Sequence, residues 1–482
     1  MADDIYGKKS IVSSMMWKFL ERGSSLIVSF AVIMILARLL DPADFGVIAI
    51  MNVFVLLLMI FVYDGLGNAL VQKKDSDQVD FSSMLWLNLC VSGVIYAGLF
   101  IAAPFIAAFF GYPEITAMIR VLSVKIIVAA LNSIQMAYVS KNMLFRFYFY
   151  STLTSKIGSG VLGVIMALMG FGVWALVAQA LSVTVFETAV LWFKVKWRPQ
   201  KVFSWERAKP LYAFAWKIML VKFIEQIQDQ YRKMLIGKIY TSSELAFYDK
   251  GANLPNVLIS NVATSTTAVM FPVLSNIQDD RERVLETMRK WIGLFAFGAF
   301  PLAAGIIATA KPVIIILYSS KWLPAVPFLI LSCIIYATWA LEFPLKDTIK
   351  SIGRADVCLY MQIIKSVITV LVITLARNGG VLFIAEVAVG CAIINVVISL
   401  FCGYRYLGYK PMMMVKDIYK SVLLCVIMGA CVYAVGLLQI NLYLLFLIQV
   451  IVGVGVYAGL AFITKNENFR ALINLIKEKK NK

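Results

Sequence analysis

The stretch FGVIAIMNVFVLLLMIFVYDGL, residues 45–66, holds a single charged side chain, Asp64, in 22 positions. A helix crossing about 30 Å of hydrocarbon needs roughly 20 mostly apolar residues. Comparable runs recur along the whole chain. They place membrane spans near 11–37, 45–66, 82–109, 115–138, 148–169, 172–193, 210–235, 249–272, 286–310, 324–345, 356–377, 381–402, 417–437 and 442–464. The expected fold is an all-α integral membrane protein of about fourteen transmembrane helices. Composition points the same way: 61% of the 482 residues are hydrophobic and 15% charged, against about 25% charged in soluble domains. The first run contains Lys18, Glu21 and Arg22 and lacks a small-residue cleavage site, so it is expected to be a retained span rather than a signal peptide.

The net charge of +18 would suggest nucleic acid in a soluble protein. Here the cations sit mostly between apolar runs, where topology explains them, and no nucleic-acid partner is expected. Taking the N-terminus as cytoplasmic, alternate connections hold Lys8-Lys9, Lys73-Lys74, Lys141, Arg146, the run from Lys194 to Lys209, Arg281 to Lys290, Lys346 to Arg354, Arg405, Lys410 and the Lys477–Lys482 tail. The opposite connections hold far fewer, a ratio of roughly three or four to one, as the positive-inside rule requires. The expected placement is a bacterial inner membrane with both termini cytoplasmic. The 194–209 connection and the tail (Phe469, Leu472, Ile473, Ile476) interleave apolar and basic residues, a pattern suited to an anionic leaflet surface or to an ordinary solvated segment.

A repeat of about 200 residues is visible. Trp17-Lys18 is echoed by Trp216-Lys217, the 37–45 turn by 237–245, and Lys156 by Lys365. The organisation expected from it is a six-helix lobe over 1–200, a second, parallel one over 201–410, and a terminal helix pair with a basic tail over 411–482.

Charges inside a bilayer cost roughly 2.5–3.5 kcal/mol on insertion scales and normally face protein or water. Lys18, Glu21 and Arg22 share one face of the first span; Lys222, Glu225, Gln226, Asp229, Arg232 and Lys233 form a stripe on the seventh. Lys125, Lys156 and Lys365 are single buried cations, and Asn256 and Asn261 belong to a polar series on the eighth span. Lys18, Arg22, Lys125, Lys156, Lys222, Arg232, Lys365, Asn256 and Asn261 are therefore the candidate cavity residues. Glu21, Asp64, Glu225 and Asp229 are candidates for ion pairing or for coupling to Na⁺ or H⁺. Cations in a low-dielectric, hydrated cleft favour an anion such as a diphosphate, and amides and hydroxyls suit sugar. The alternatives for these residues are snorkelling at helix ends, interhelical ion pairs and interhelical hydrogen bonds. No cofactor is expected. With no histidine, no glycine-rich phosphate loop, no nucleophile elbow and seven cysteines in or beside apolar runs, the pattern is that of a transporter and not of an enzyme.

Several segments carry a resemblance. LARLLDPADFG (36–46), LVQKKD (70–75), GFGVWALVAQ (170–179), FPVLSNIQDD (271–280) and KWLPAVP (321–327) resemble, in the same order, the Wzx-type polysaccharide-export flippases of the MOP superfamily, most closely the WzxC-like, colanic-acid-type branch. The resemblance runs over residues 15–405. It departs at Ala215-Trp216, where relatives often carry a Gly-Ser type sequence, and in a more heavily charged seventh span. The resemblance implies two six-helix lobes around a cationic cavity of alternating access. It also implies transfer of an undecaprenyl-diphosphate-linked oligosaccharide to the outer leaflet for surface lipopolysaccharide or exopolysaccharide. Membrane lipids and the polysaccharide polymerase and export machinery are the partners implied. A MATE-type multidrug or cation antiporter is the alternative, for which a more acidic or aromatic interior is expected.

Overall fold

A computed structural model describes residues 8–63, 66–73 and 75–470. Among them secondary structure is helical throughout, and the chain divides into two compact units, Met1–Ala246 and Phe247–Lys482.

The first unit contains α1 (Lys8–Leu39), α2 (Pro42–Tyr63), the short α3 (Leu66–Gln72), α4 (Gln78–Phe110), α5 (Ile115–Lys141), α6 (Phe145–Leu168), α7 (Val173–Lys194) and α8 (Trp205–Ile239). Their packing relies on small residues, as expected where lipid removes the hydrophobic drive between helices. On α6, Ser151, Ser155, Ser159, Gly163 and Ala167 recur every fourth residue and are all buried. A Cβ at Gly160 would stand 2.3 Å from Val32 of α1, and one at Gly163 2.9 Å from Gln179 of α7. Helix α6 thus draws α1 and α7 against its two sides. Asn88 of α4 is fully buried and donates to Ser133 Oγ of α5 at 2.7 Å and to the Val62 carbonyl of α2 at 3.3 Å.

One end of this unit is closed by residues 195–204, which are extended rather than helical. Trp197, 6% exposed, stacks on Tyr138 and donates to Gln78 Oε1 at 2.5 Å. The Gln200 and Ser204 amides donate to Ser82 and Ser83 at 3.0 Å each. The 194–209 connection, whose pattern suits a leaflet surface or a solvated segment, is thus over 195–204 a strap whose central aromatic is core. The apolar Val202, Phe203 and Trp205 are exposed along with its cations. The strap leads into α8, whose Ala208, Leu211, Ala215 and Met219 pack with Phe81, Met84, Leu85, Ile134 and Trp197 in one core. Helix α8 accordingly belongs to the first compact unit, which ends at Ala246.

The second unit continues α9 (Ser242–Asn276) and adds α10 (Arg281–Ala308), α11 (Ala310–Tyr318), a 3₁₀ turn (Ser320–Ala325), α12 (Val326–Ala337), α13 (Trp339–Ser351), α14 (Ala355–Leu375), α15 (Val381–Leu407), α16 (Pro411–Val435) and α17 (Leu442–Ile463). The terminal pair is built into this unit. Leu424, Met428, Val432, Tyr457 and Ala461 pack on Phe297 of α10, and Arg289 holds Asp417 with a 2.7 Å ion pair joined by Tyr409 Oη at 3.0 Å. Phe469 rests against Phe297 with ring centroids 6.4 Å apart. The amphipathic tail residues Leu472, Ile473 and Ile476 lie outside the described residues.

Twelve helical segments among the described residues are long and apolar enough to span a membrane, with Ser320–Ser351 counting as one. The spans expected over 210–235 and 249–272 exist as the 35-residue helices α8 and α9 but are not among those twelve. Charged side chains recur along α8 too closely for an apolar window, whereas residues 257–274 of α9 carry none.

Candidate functional site

The first unit gathers ionisable groups from four helices. Glu21 of α1 is half-buried, interacts with Arg22, Lys18 and Lys156 of α6, and stands beside the Thr152 hydroxyl. Glu187 of α7 interacts with Lys156, Glu21 and Lys125 of α5. Lys125 faces Lys156 and Glu187. Tyr148 of α6 neighbours Glu187, Glu21, Tyr63 and Arg22. Tyr63 of α2 accepts from Asn132 Nδ2 at 3.4 Å, while Asn132 Oδ1, in a fully buried residue, has no partner. Among the described residues, none of Glu21, Glu187, Lys125 and Lys156 forms an ion pair within 4 Å. Lys125, Lys156 and Glu187 are enclosed by protein yet keep part of each side chain accessible.

The small stripe of α6 explains the geometry. Because Gly160 and Gly163 let α1 and α7 approach, Lys156 is held between Glu21 and Glu187. The charges interact without collapsing into contact pairs. In a low-dielectric surround such an array attracts an anion and can exchange its internal partners for it.

Lys18 reaches this group through Glu21, Arg22 through Glu21 and Tyr148, and the other predicted residues lie apart from it. Lys18 sits 4.9 Å over the Phe145 ring and, like Arg22, is exposed. On α8, Asp229 interacts with Arg232, Glu225 and Lys233, so the stripe is electrically coupled along its own helix; Lys222 on the same stripe is half-buried. On α9, Asn256 is half-buried and Asn261 donates to the Val257 carbonyl one turn back, at 2.7 Å. Ser260 and Thr266 also bond carbonyls of their own helix. Lys365, in the second unit, is paired with Glu342. Asp64 lies outside the described residues. Among the described residues no three His, Cys, Asp or Glu side chains cluster to hold a metal ion.

Sequence reasoning missed Glu187, Tyr63, Tyr148 and Glu342. The two acids were available to it, because each is an acid inside an apolar run, and an intramembrane acid needs a partner. The tyrosines carried no comparable signal.

At one end of this unit, Asp77 caps α4, accepting from the Val79 and Asp80 amides, and pairs with Arg207. That guanidinium and the Asp80 amide hold the Asp77 carboxyl down at about 2. Lys73 pairs with the buried Asp80 at 2.7 Å, and Lys141 donates to the Lys73 carbonyl at 2.8 Å.

Known proteins share this architecture. The chain is 25% identical over 405 residues to the "Succinoglycan biosynthesis transport protein ExoT" of Rhizobium meliloti, covering 83% of this chain and 81% of that one. It is 21% identical to the "Lipopolysaccharide biosynthesis protein WzxC" of Escherichia coli, over 76% and 75% of the two chains. A solved "Lipid II flippase MurJ, inward closed conformation" superposes with a TM-score of 0.75 at 18% identity, covering 96% of this chain and 100% of that one. An inward-facing multidrug resistance MATE family transporter of the MOP superfamily does so at 0.59 and 16%, over 82% and 95%. At those identities the structures establish the fold. The model of one family, described as "Polysaccharide biosynthesis protein", matches residues 35–327, more than half the sequence. By that match this multi-pass membrane chain belongs to the polysaccharide biosynthesis protein family.

Proposed function

We propose that this chain is a transporter that moves a lipid-linked, diphosphate-bearing oligosaccharide from the cytoplasmic to the outer leaflet by alternating access. It is a carrier in polysaccharide biosynthesis, not an enzyme. The observation that carries the reading is the group Lys125, Lys156, Glu21 and Glu187, held inside the first unit of a chain in that family, with the exposed Arg22 beside Glu21. A diphosphate leaving the headgroup region needs its charge neutralised. Lys125 and Lys156 offer ammonium donors that are not committed to contact pairs, while Glu21 and Glu187 hold them apart until an anion competes. Asn132 Oδ1, without a partner, suits a hydroxyl donor of a sugar. Exchange of a proton or Na⁺ at Glu21 or Glu187 as the lysines change partners is the coupling this arrangement favours.

The inner membrane with both termini cytoplasmic is the placement that the distribution of Lys and Arg supports. A drug-cation antiporter is less well served, because the lysines of the cluster and the exposed Arg22 and Lys18 outnumber its two acids. Deleting the gene is expected to leave lipid-linked repeat units accumulating in the cell and surface polysaccharide missing. Normal surface polysaccharide in the deletion strain, together with altered drug resistance on overexpression, would favour the antiporter instead.

A further inference from the structure

In the second unit, α13, α14 and α15 meet around an ion pair that the proposed cargo path does not use. Lys365 of α14 is 8% exposed, and its Nζ stands 2.6 Å from Glu342 Oε2 of α13 and 2.7 Å from Ser399 Oγ of α15. Cys358 Sγ, earlier on α14, donates to the Lys346 carbonyl, later on α13, at 3.5 Å, so these two helices run antiparallel. Helix α15 returns beside α14, with Cys358 and Met361 packed against Ile398, Cys402 and Tyr406. Stepping one turn from the ion pair toward the Leu375 end of α14 therefore reaches Thr338, Thr369 and Asn395 at one level.

That level is rich in oxygen. Thr338 Oγ1 lies 3.4 Å from Glu342 Oε1. Thr369, 6% exposed, has a hydroxyl with no partner, and the enclosed Asn395 Oδ1 has none either. Buried polar atoms are rarely left so, and two in one layer beside a carboxylate point to a ligand. The backbone adds to this. The helix is interrupted at Thr338, between α12 and α13, and Pro344 cannot donate to the carbonyl of the fully buried Ala340. Broken helices that present carbonyls at membrane depth are suited to small cations.

We infer that Glu342, Thr338, Thr369 and Asn395 form a binding site for a dehydrated alkali cation of Na⁺ size, for which the Lys365 ammonium is a built-in competitor. Hard oxygen donors select such a cation. Two positive charges on one buried carboxylate exclude each other, so cation entry releases Lys365 from Glu342. The site is independent of what the first unit carries. Cation occupancy and the position of Lys365 are thereby linked, giving the three helices two alternative ways of being held together.

The test uses the purified full-length protein in lipid nanodiscs. Thermal unfolding is followed as NaCl replaces choline chloride at constant ionic strength. Wild type is expected to show a saturable rise in melting temperature. In Lys365→Met the midpoint is expected at a NaCl concentration at least about tenfold lower, one competitor having been removed. Glu342→Gln is expected to lose the response. The double variant Thr369→Val/Asn395→Leu, which keeps the Lys365–Glu342 pair, is expected to lose it too. A purely structural ion pair predicts a Lys365→Met protein that melts lower at every salt composition with no Na⁺ dependence, and that result overturns the site. An undiminished Na⁺ response in Thr369→Val/Asn395→Leu overturns it as well, and that measurement stands even if Lys365→Met fails to fold.

Discussion

Lys156 is held between two acids on two different helices, and neither acid forms a contact pair with it. If Lys156 and Lys125 receive an anion, Lys156→Gln and Lys125→Gln should each lower polysaccharide export by about tenfold or more, a loss of about 1.4 kcal/mol of charge interaction. Lys156→Arg should retain most of it. Export assayed at matched protein levels checks this, and unchanged export in both Gln variants would contradict it. Asp77 gives a pH prediction. Its carboxyl is held near 2, below its ordinary 3.8, by Arg207 and the Asp80 amide. A depressed acid gives a stabilising contact that is complete above the ordinary value and lost as pH falls through the lowered one. Proteolysis of the 195–209 strap should therefore stay flat from pH 8 to 5 and rise in Arg207→Gln; an increase between pH 8 and 5 in the wild type would contradict the assignment. At this scale the sequence displayed the buried cations but not their partners. Lys365 was conspicuous in an apolar run, whereas its pairing with Glu342 depends on the register of two antiparallel helices, which no local pattern encodes.

Helices were the most legible level, because lipid imposes a length and an apolarity on every span. Trp197 shows where that reading failed. An aromatic among cations between two spans has the composition of an interfacial anchor, yet hydrogen bonds from Gln200, Ser204 and Trp197 itself fold the segment onto α4. Helix α8 shows a related limit: it forms where expected but carries too many charges to qualify as a span on composition. Arg289, paired with Asp417, anchors the terminal helices to α10. Asp417→Ala should destabilise the protein by about 1.5–3 kcal/mol, the worth of a hydrogen bond to a charged group. In a double-mutant cycle with Arg289→Ala, measured by denaturant unfolding in detergent micelles, the two losses should be far from additive. Additive losses would show that the terminal pair is held by its apolar contacts with Phe297 alone.

For the whole molecule, the repeat and the charge pattern of the connections announced a many-helix carrier, and family membership agrees with them. The boundary between compact units was not legible. Packing of Ala208, Leu211, Ala215 and Met219 against the α4 and α5 residues decides it, and the spacing of the repeat does not report packing. The central claim concerns which leaflet holds the cargo. The most direct measurement is the sidedness of lipid-linked oligosaccharide in the deletion strain, probed by a membrane-impermeant glycan-cleaving enzyme on spheroplasts and on inverted membrane vesicles. The account predicts that the accumulated intermediate is protected in spheroplasts and cleaved in inverted vesicles, with outer-leaflet exposure restored by the wild-type gene. Intermediate that is exposed on spheroplasts of the deletion strain to the same extent as in the parent would contradict it.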